Sequence, residues 1–177
     1  MSQGRIAGLL VVAVVVGLAA WPTSRSFLQG RLENNIGYLY AKGVIVAQDP
    51  AAAARWYASA ATHGSADAQF NYGYALQTGA GVPVDVATAK QWYERAAEQG
   101  HAQAANNLGI LYANPPQGEP DFVRARAWLK RAAASADRML ASTLEENLKL
   151  MERDMRPAEI EDSLREFLDS FADGTGA

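Results

Sequence analysis

The sequence predicts an all-α fold, a right-handed α-solenoid of three helix-turn-helix repeats, on three observations. Trp56, Trp92 and Trp128 stand 36 residues apart in a chain of 177. Asn35, Asn71 and Asn107, Gly37, Gly73 and Gly109, Asp49, Asp85 and Asp121, and the pairs Ala60-Ala61, Ala96-Ala97 and Ala132-Ala133 keep the same spacing. Within each period the small and apolar residues follow the i, i+3, i+4, i+7 spacing of a buried helix face. Self-similarity at a period of this size marks a stacked array, in which each unit buries its apolar face on its neighbours.

The first element, residues 1–24, reads as an apolar helix that serves as a membrane anchor or a signal peptide. From Ile6 to Trp21, sixteen residues carry no charged or strongly polar side chain. A spanning helix needs about 20 apolar residues and a signal-peptide core about 7–15. Small residues at Gly17 and Ala19 allow cleavage after Ala19, and Trp21 suits the membrane interface. A retained single-pass inner-membrane anchor is the favoured expectation, with a cleaved, soluble periplasmic form as the alternative. Flanking charge leaves the orientation open, because Arg25 and Arg31 balance Arg5 and the terminal amine.

The repeats occupy residues 25–136, at about 30–64, 66–100 and 102–136. In the second, Ala68, Tyr72, Ala75 and Leu76 form the stripe of helix A, and Gly79-Ala80-Gly81-Val82-Pro83 stops it. Gly73 costs roughly 1 kcal/mol in a helix relative to Ala. Its counterparts Gly37 and Gly109 therefore imply that another helix crosses there at close range. Helix B opens at the capping Asp. Asp49-Pro50 is an N-cap followed by proline at the first helical position, and Asp85 and Asp121 are caps by register. Ala89, Trp92, Tyr93, Ala96 and Ala97 make the stripe of the second B helix, and Gly64 and Gly100 act as stops where the third repeat has Ala136. Nine residues separate Tyr40, Leu76 and Tyr112 from the next capping Asp, although the loop chemistry differs, with three prolines between Asn114 and Pro120.

After the third repeat the period decays. Residues 137–172 read as a pair of capping helices over the end of the stack, the second opened by Pro157, and 173–177 as a frayed tail. From Glu145 onward there are four basic and ten acidic residues, read as a solvated acidic face. The formal net charge of −3 argues against a nucleic-acid binder held by phosphate contacts.

The unit resembles the Sel-one-like repeat, a relative of the tetratricopeptide repeat. The second repeat carries Ala68, Tyr72-Gly73, Leu76, Gly79, Gly81-Val82, Asp85, Ala89, Trp92-Tyr93, Ala96-Ala97 and Gly100 of that pattern. The third departs from it, lacking the Gly-Val loop and placing Leu129 where Tyr is expected. The resemblance implies a right-handed superhelix that acts as a scaffold for protein partners, often exported or envelope-located in bacteria, with no cofactor and no catalytic residue.

Reaction centres were sought along the chain. It has no cysteine, which excludes disulfides, thiol nucleophiles and cysteine-bound metal. His63 and His101 occupy different repeat positions and read as exposed turn residues. No phosphate loop and no nucleophile elbow is present. Asn35, Asn71 and Asn107 are expected to bond neighbouring backbone or the preceding helix.

The candidate site lies on the variable positions of the A helices, which line the concave side of two-helix arrays. Those positions are Arg31, Asn34, Tyr38 and Lys42, then Asp67, Phe70, Tyr74 and Gln77, then Gln103, Asn106, Ile110 and Asn114. Tyr38, Phe70, Tyr74 and Ile110 make an apolar ridge with a polar rim, the composition of an interface hot spot. The expected function is a non-enzymatic scaffold or adaptor at the bacterial cell envelope, gripping a protein or peptide in that groove. No small-molecule substrate and no nucleic acid are expected. A structural subunit of a membrane complex is the alternative. A cell-wall hydrolase is the weaker one, since no nucleophile or carboxylate pair is gathered by the sequence.

Overall fold

The computed structural model describes residues 22–136 and the isolated helical positions Ala141, Glu145, Glu146, Lys149 and Arg153. Six helices follow in order: α1 (Pro22–Lys42), α2 (Pro50–Thr62), α3 (Ala66–Thr78), α4 (Val86–Glu98), α5 (Ala102–Ala113) and α6 (Phe122–Ser135). Among the described residues there is no strand, and no helix is long and apolar enough to cross a membrane. The apolar run Ile6–Trp21 lies outside the described residues, as do the Pro157 helix and the tail. So does the first capping helix, apart from the isolated positions.

The chain forms two compact units, Met1–Asp85 and Val86–Ala177. In the first, α1 packs on α2, α2 on α3, and α1 also touches α3. A Cβ at Gly37 would lie 2.7 Å from Cε1 and 2.8 Å from Cδ1 of Tyr57, so the absent side chain is what lets the α2 ring lie against the α1 backbone. Gly81 works differently. Its φ is +78°, and a side chain there would run into the Pro50 carbonyl, so this loop of the second repeat rests directly on the start of α2.

Two of the expected caps, Asp49 and Asp121, are in place. The Asp49 carboxylate accepts from Ala52 N–H at 2.9 Å, and Asp121 accepts from Arg124 N–H at 2.9 Å. The constant nine-residue gap has a physical basis. The N–H of the capping Asp donates back to the carbonyl nine residues earlier: Asp49 to Tyr40 (3.0 Å), Asp85 to Leu76 (2.9 Å) and Asp121 to Tyr112 (2.8 Å). One hydrogen bond thus closes three loops of unlike sequence, which satisfies a group that a helix end otherwise leaves open.

The helix α1 starts at Pro22, whose missing N–H costs nothing at a first helical position. One expectation is corrected. The histidines are not plain turn residues. The Nδ1 of His101 accepts from Ala104 N–H at 3.2 Å and caps α5, the part that Ser65 plays for α3 one period earlier. His63 is half-buried, and its Nδ1 is 2.9 Å from Glu33 Oε2.

In the second unit α5 packs on α6 and on α4. Leu129 takes the place of the expected Tyr, and its Cγ would be 2.6 Å from a Cβ at Gly109. Leu129, Ala125 and Ala113 form a core that Tyr112 and Phe122 flank. Tyr112 donates its hydroxyl to Glu94 Oε1 at 3.2 Å, with Lys90 Nζ over its ring at 4.5 Å.

Candidate binding groove

In the first unit a groove of about 520 Å³ opens between α1 and α3, over α2. Tyr38, Ala41 and Lys42 of α1 form one wall; Phe70, Asn71, Tyr74 and Ala75 of α3 form the other. The floor is Pro50, Ala53, Ala54 and Tyr57 of α2, with Gln48 and Ala80 from the loops at its end. Small alanines in the floor create the hollow; aromatic residues on the walls give it depth.

The walls follow from helix geometry. Gly37 faces α2, so the next residue, Tyr38, turns away from the packed face toward solvent. Tyr38, Tyr74 and Ile110 share this repeat position and are 50 %, 52 % and 44 % exposed. Tyr38 and Tyr74 thus stand open on the two walls of the first-unit groove. Ile110 belongs to the second unit, so its place in a shared groove is not part of the first-unit site.

Of the twelve sequence-predicted residues, the groove gathers Tyr38, Lys42, Phe70 and Tyr74. Asn34 stands behind the wall, where its Oδ1 accepts from Asn71 Nδ2 at 2.9 Å. This bond ties the two A helices together, two helices apart in the chain, where neighbouring backbone or the preceding helix was expected for Asn71. Arg31 and Asp67 are exposed and Gln77 half-buried, and none of the three lines the groove. In the second unit Gln103 and Asn114 are exposed, while the Oδ1 of Asn106 is buried without a hydrogen-bond partner among the described residues.

Sequence reasoning confined the groove to helix A and missed its floor. Tyr57, Ala53 and Ala54 of α2 belong to it. The available signal was the Trp-Tyr pair, whose second member must turn toward helix A if Trp56 does not.

The electrostatics are simple. Lys42 Nζ lies 5.9 Å from the centre of the Tyr38 ring, a cation held beside the groove mouth by the aromatic face. Burial pushes the Tyr57 phenol above its ordinary 10.0, and Tyr38 adds to that push, so the floor hydroxyl stays neutral. Within α1 and away from the groove, Glu33 is buried at 8 % exposure. Burial by itself would raise its carboxyl. Hydrogen bonds from Gln29, Ser59 and His63, with the His63 charge, outweigh it and hold the group below the usual 4.5. Among the described residues no group of three or more acidic or histidine side chains is placed to hold a metal ion. The groove can therefore hold apolar side chains and offer one cation and amide groups at its edge. Among the described residues its lining includes no carboxylate, histidine, serine or threonine.

Residues 32–65, 66–101 and 102–137 match the Sel1 repeat. Among solved structures, the chain is 34 % identical to a Sel1 repeat protein from Oxalobacter formigenes, with a TM-score of 0.60, over 71 % of this chain and 51 % of that one. It is 26 % identical, with a TM-score of 0.67, to a protective antigen with an SLR fold present in uropathogenic Escherichia coli strains, over 86 % of this chain and 32 % of that one. The chain thus spans about half the length of the first and a third of the second. No curated protein shows a significant match. Repeat proteins of this kind generally act as protein–protein interaction scaffolds and are typically non-enzymatic.

Proposed function

Because the chain belongs to the Sel1 repeat family, we propose that it is an adaptor at the bacterial cell envelope whose first-unit groove grips a segment of a protein partner. The observation that carries the reading is the groove itself: about 520 Å³, with Tyr38, Phe70 and Tyr74 on its walls and Tyr57 in its floor. Half-exposed aromatic rings over an alanine floor gain most of their contact area only when something fills the space between them. A partner that inserts two or three apolar side chains removes that surface from water at about 25 cal/mol per Å². Lys42 at the mouth favours an acidic group beside those side chains.

The envelope location is supported by the sixteen-residue apolar run ahead of α1. On this reading the repeats lie on the envelope side of the membrane, fixed by a retained anchor or released after cleavage. The absence of cysteine suits export without disulfide formation.

The test is a pulldown from envelope extracts with wild type and Tyr38→Ala/Tyr74→Ala. Loss of specific protein recovery at unchanged helicity is expected. Equal recovery by a folded double variant would refute groove binding.

A further inference from the structure

We propose that the first turns of α1, residues 25–32, lie on an anionic lipid surface. The inference rests on the envelope reading and adds the face by which the repeat domain itself meets the membrane.

The helix begins at Pro22, whereas the repeat begins at residue 32. One side of this extension is already used. Gly30 is buried, with His63 Cβ 3.1 Å from where its own Cβ would stand, and Glu33 turns its carboxylate to His63. The opposite side is apolar and open. Phe27, Leu28 and Leu32 are 51 %, 55 % and 62 % exposed. Leu28 and Leu32 stand one turn apart and share a face; Phe27 and Arg31 do the same beside them. Arg25 and Arg31 are exposed, and the only acidic residue of α1 is the buried Glu33. The open sector therefore carries aliphatic and aromatic side chains with two guanidinium groups and no anion.

That combination fits the boundary of a bilayer rather than a protein groove. Apolar side chains enter the headgroup layer by about 5–10 Å while arginines stay at the phosphates, which they bind in bidentate fashion. Position along the chain agrees. Trp21 ends the apolar run directly before Pro22. At about 1.5 Å per residue, Leu32 is only some 15 Å of helix from Pro22, the residue that follows the apolar run. A tilt of α1 toward the surface brings the whole sector into the headgroups, while its other end, near Lys42, stays clear.

The cysteine-free chain allows a direct test. Full-length Leu28→Cys, Leu32→Cys and, as control, Ile45→Cys each receive one polarity-sensitive fluorophore and are reconstituted into vesicles of phosphatidylcholine, with or without phosphatidylglycerol. In anionic vesicles the labels at 28 and 32 are expected to shift to the blue and resist an aqueous quencher, while the label at 45 stays accessible. Each arginine is worth a factor of roughly five at such a surface, so Arg25→Gln/Arg31→Gln should lower the shielded-to-exposed ratio by roughly thirtyfold. Labels at 28 and 32 that stay as accessible as the control in chains bound to vesicles would overturn the lipid contact and leave the envelope reading intact. A chain that fails to bind vesicles at all would overturn both. Shielding that appears without lipid and grows with protein concentration would assign the face to a second copy and refute the proposal.

Discussion

Gly37→Ala puts the close approach of α1 and α2 to a quantitative test. In an open helix this change stabilises by about 1 kcal/mol through backbone entropy. Here the new methyl would meet Tyr57 Cε1 at 2.7 Å and Cδ1 at 2.8 Å, with the Ala53 carbonyl oxygen at 3.3 Å. The contact is with the side of a rigid ring, not the end of a flexible chain. Tyr57 is buried and forms the groove floor, so the ring retreats only by pushing α1 and α2 apart. Overpacking of this kind costs about 1–3 kcal/mol. With the entropic gain subtracted, the variant should lose up to about 2 kcal/mol. Urea unfolding followed by far-ultraviolet circular dichroism reads the loss as a lower midpoint at unchanged slope. Tyr57→Ala supplies the counterpart. With the ring removed, Gly37→Ala should turn stabilising by about 1 kcal/mol, a reversal of sign within one double-mutant cycle. A Gly37→Ala protein more stable than wild type with Tyr57 in place would show that the glycine is not there for the crossing, and the packing argument for Gly109 against Leu129 would fall with it.

Two further outcomes follow from the same structure. Asp49→Ala and Asp121→Ala each remove a cap to an N–H at 2.9 Å and should each cost about 1 kcal/mol, measured by thermal unfolding; Asn at either position should retain most of it. Glu33→Gln tests the buried carboxylate. Its folded-state acidity is strengthened relative to 4.5, so its contribution is present above the unfolded value and is lost as pH falls through the lower folded one. The stability gap between wild type and Glu33→Gln should be widest near neutrality and close progressively below about pH 4.5. A gap that is constant from neutrality into acid would exclude a contribution from the ionised Glu33 carboxylate.

What repeats in the chain was legible without coordinates. Helix-forming spacing, Asp caps and glycines at helix crossings are local requirements, and a threefold recurrence separates them from accident. The nine residues before each capping Asp were visible as a constant, and its cause, one backbone hydrogen bond from Asp N–H, is the structure's addition. Tyr38 and Tyr74 were placed on an open face because Gly37 and Gly73 had to face inward, a deduction that needs only the helical period.

What occurs once was not legible. Glu33 and His63 are 30 residues apart and have no counterparts in register, so nothing in the chain announces their bond. His101 hides as a histidine although it stands one period after Ser65 and does the same work through Nδ1. The groove floor also escaped, because which face of α2 looks into the hollow depends on how α1, α2 and α3 cross. Sequence alone determines the hairpin and its period, since hydrogen bonding and apolar spacing act between near neighbours. Only the tertiary structure decides the hollow and the Glu33–His63 contact, because both are made by side chains that meet through the packing of separate helices.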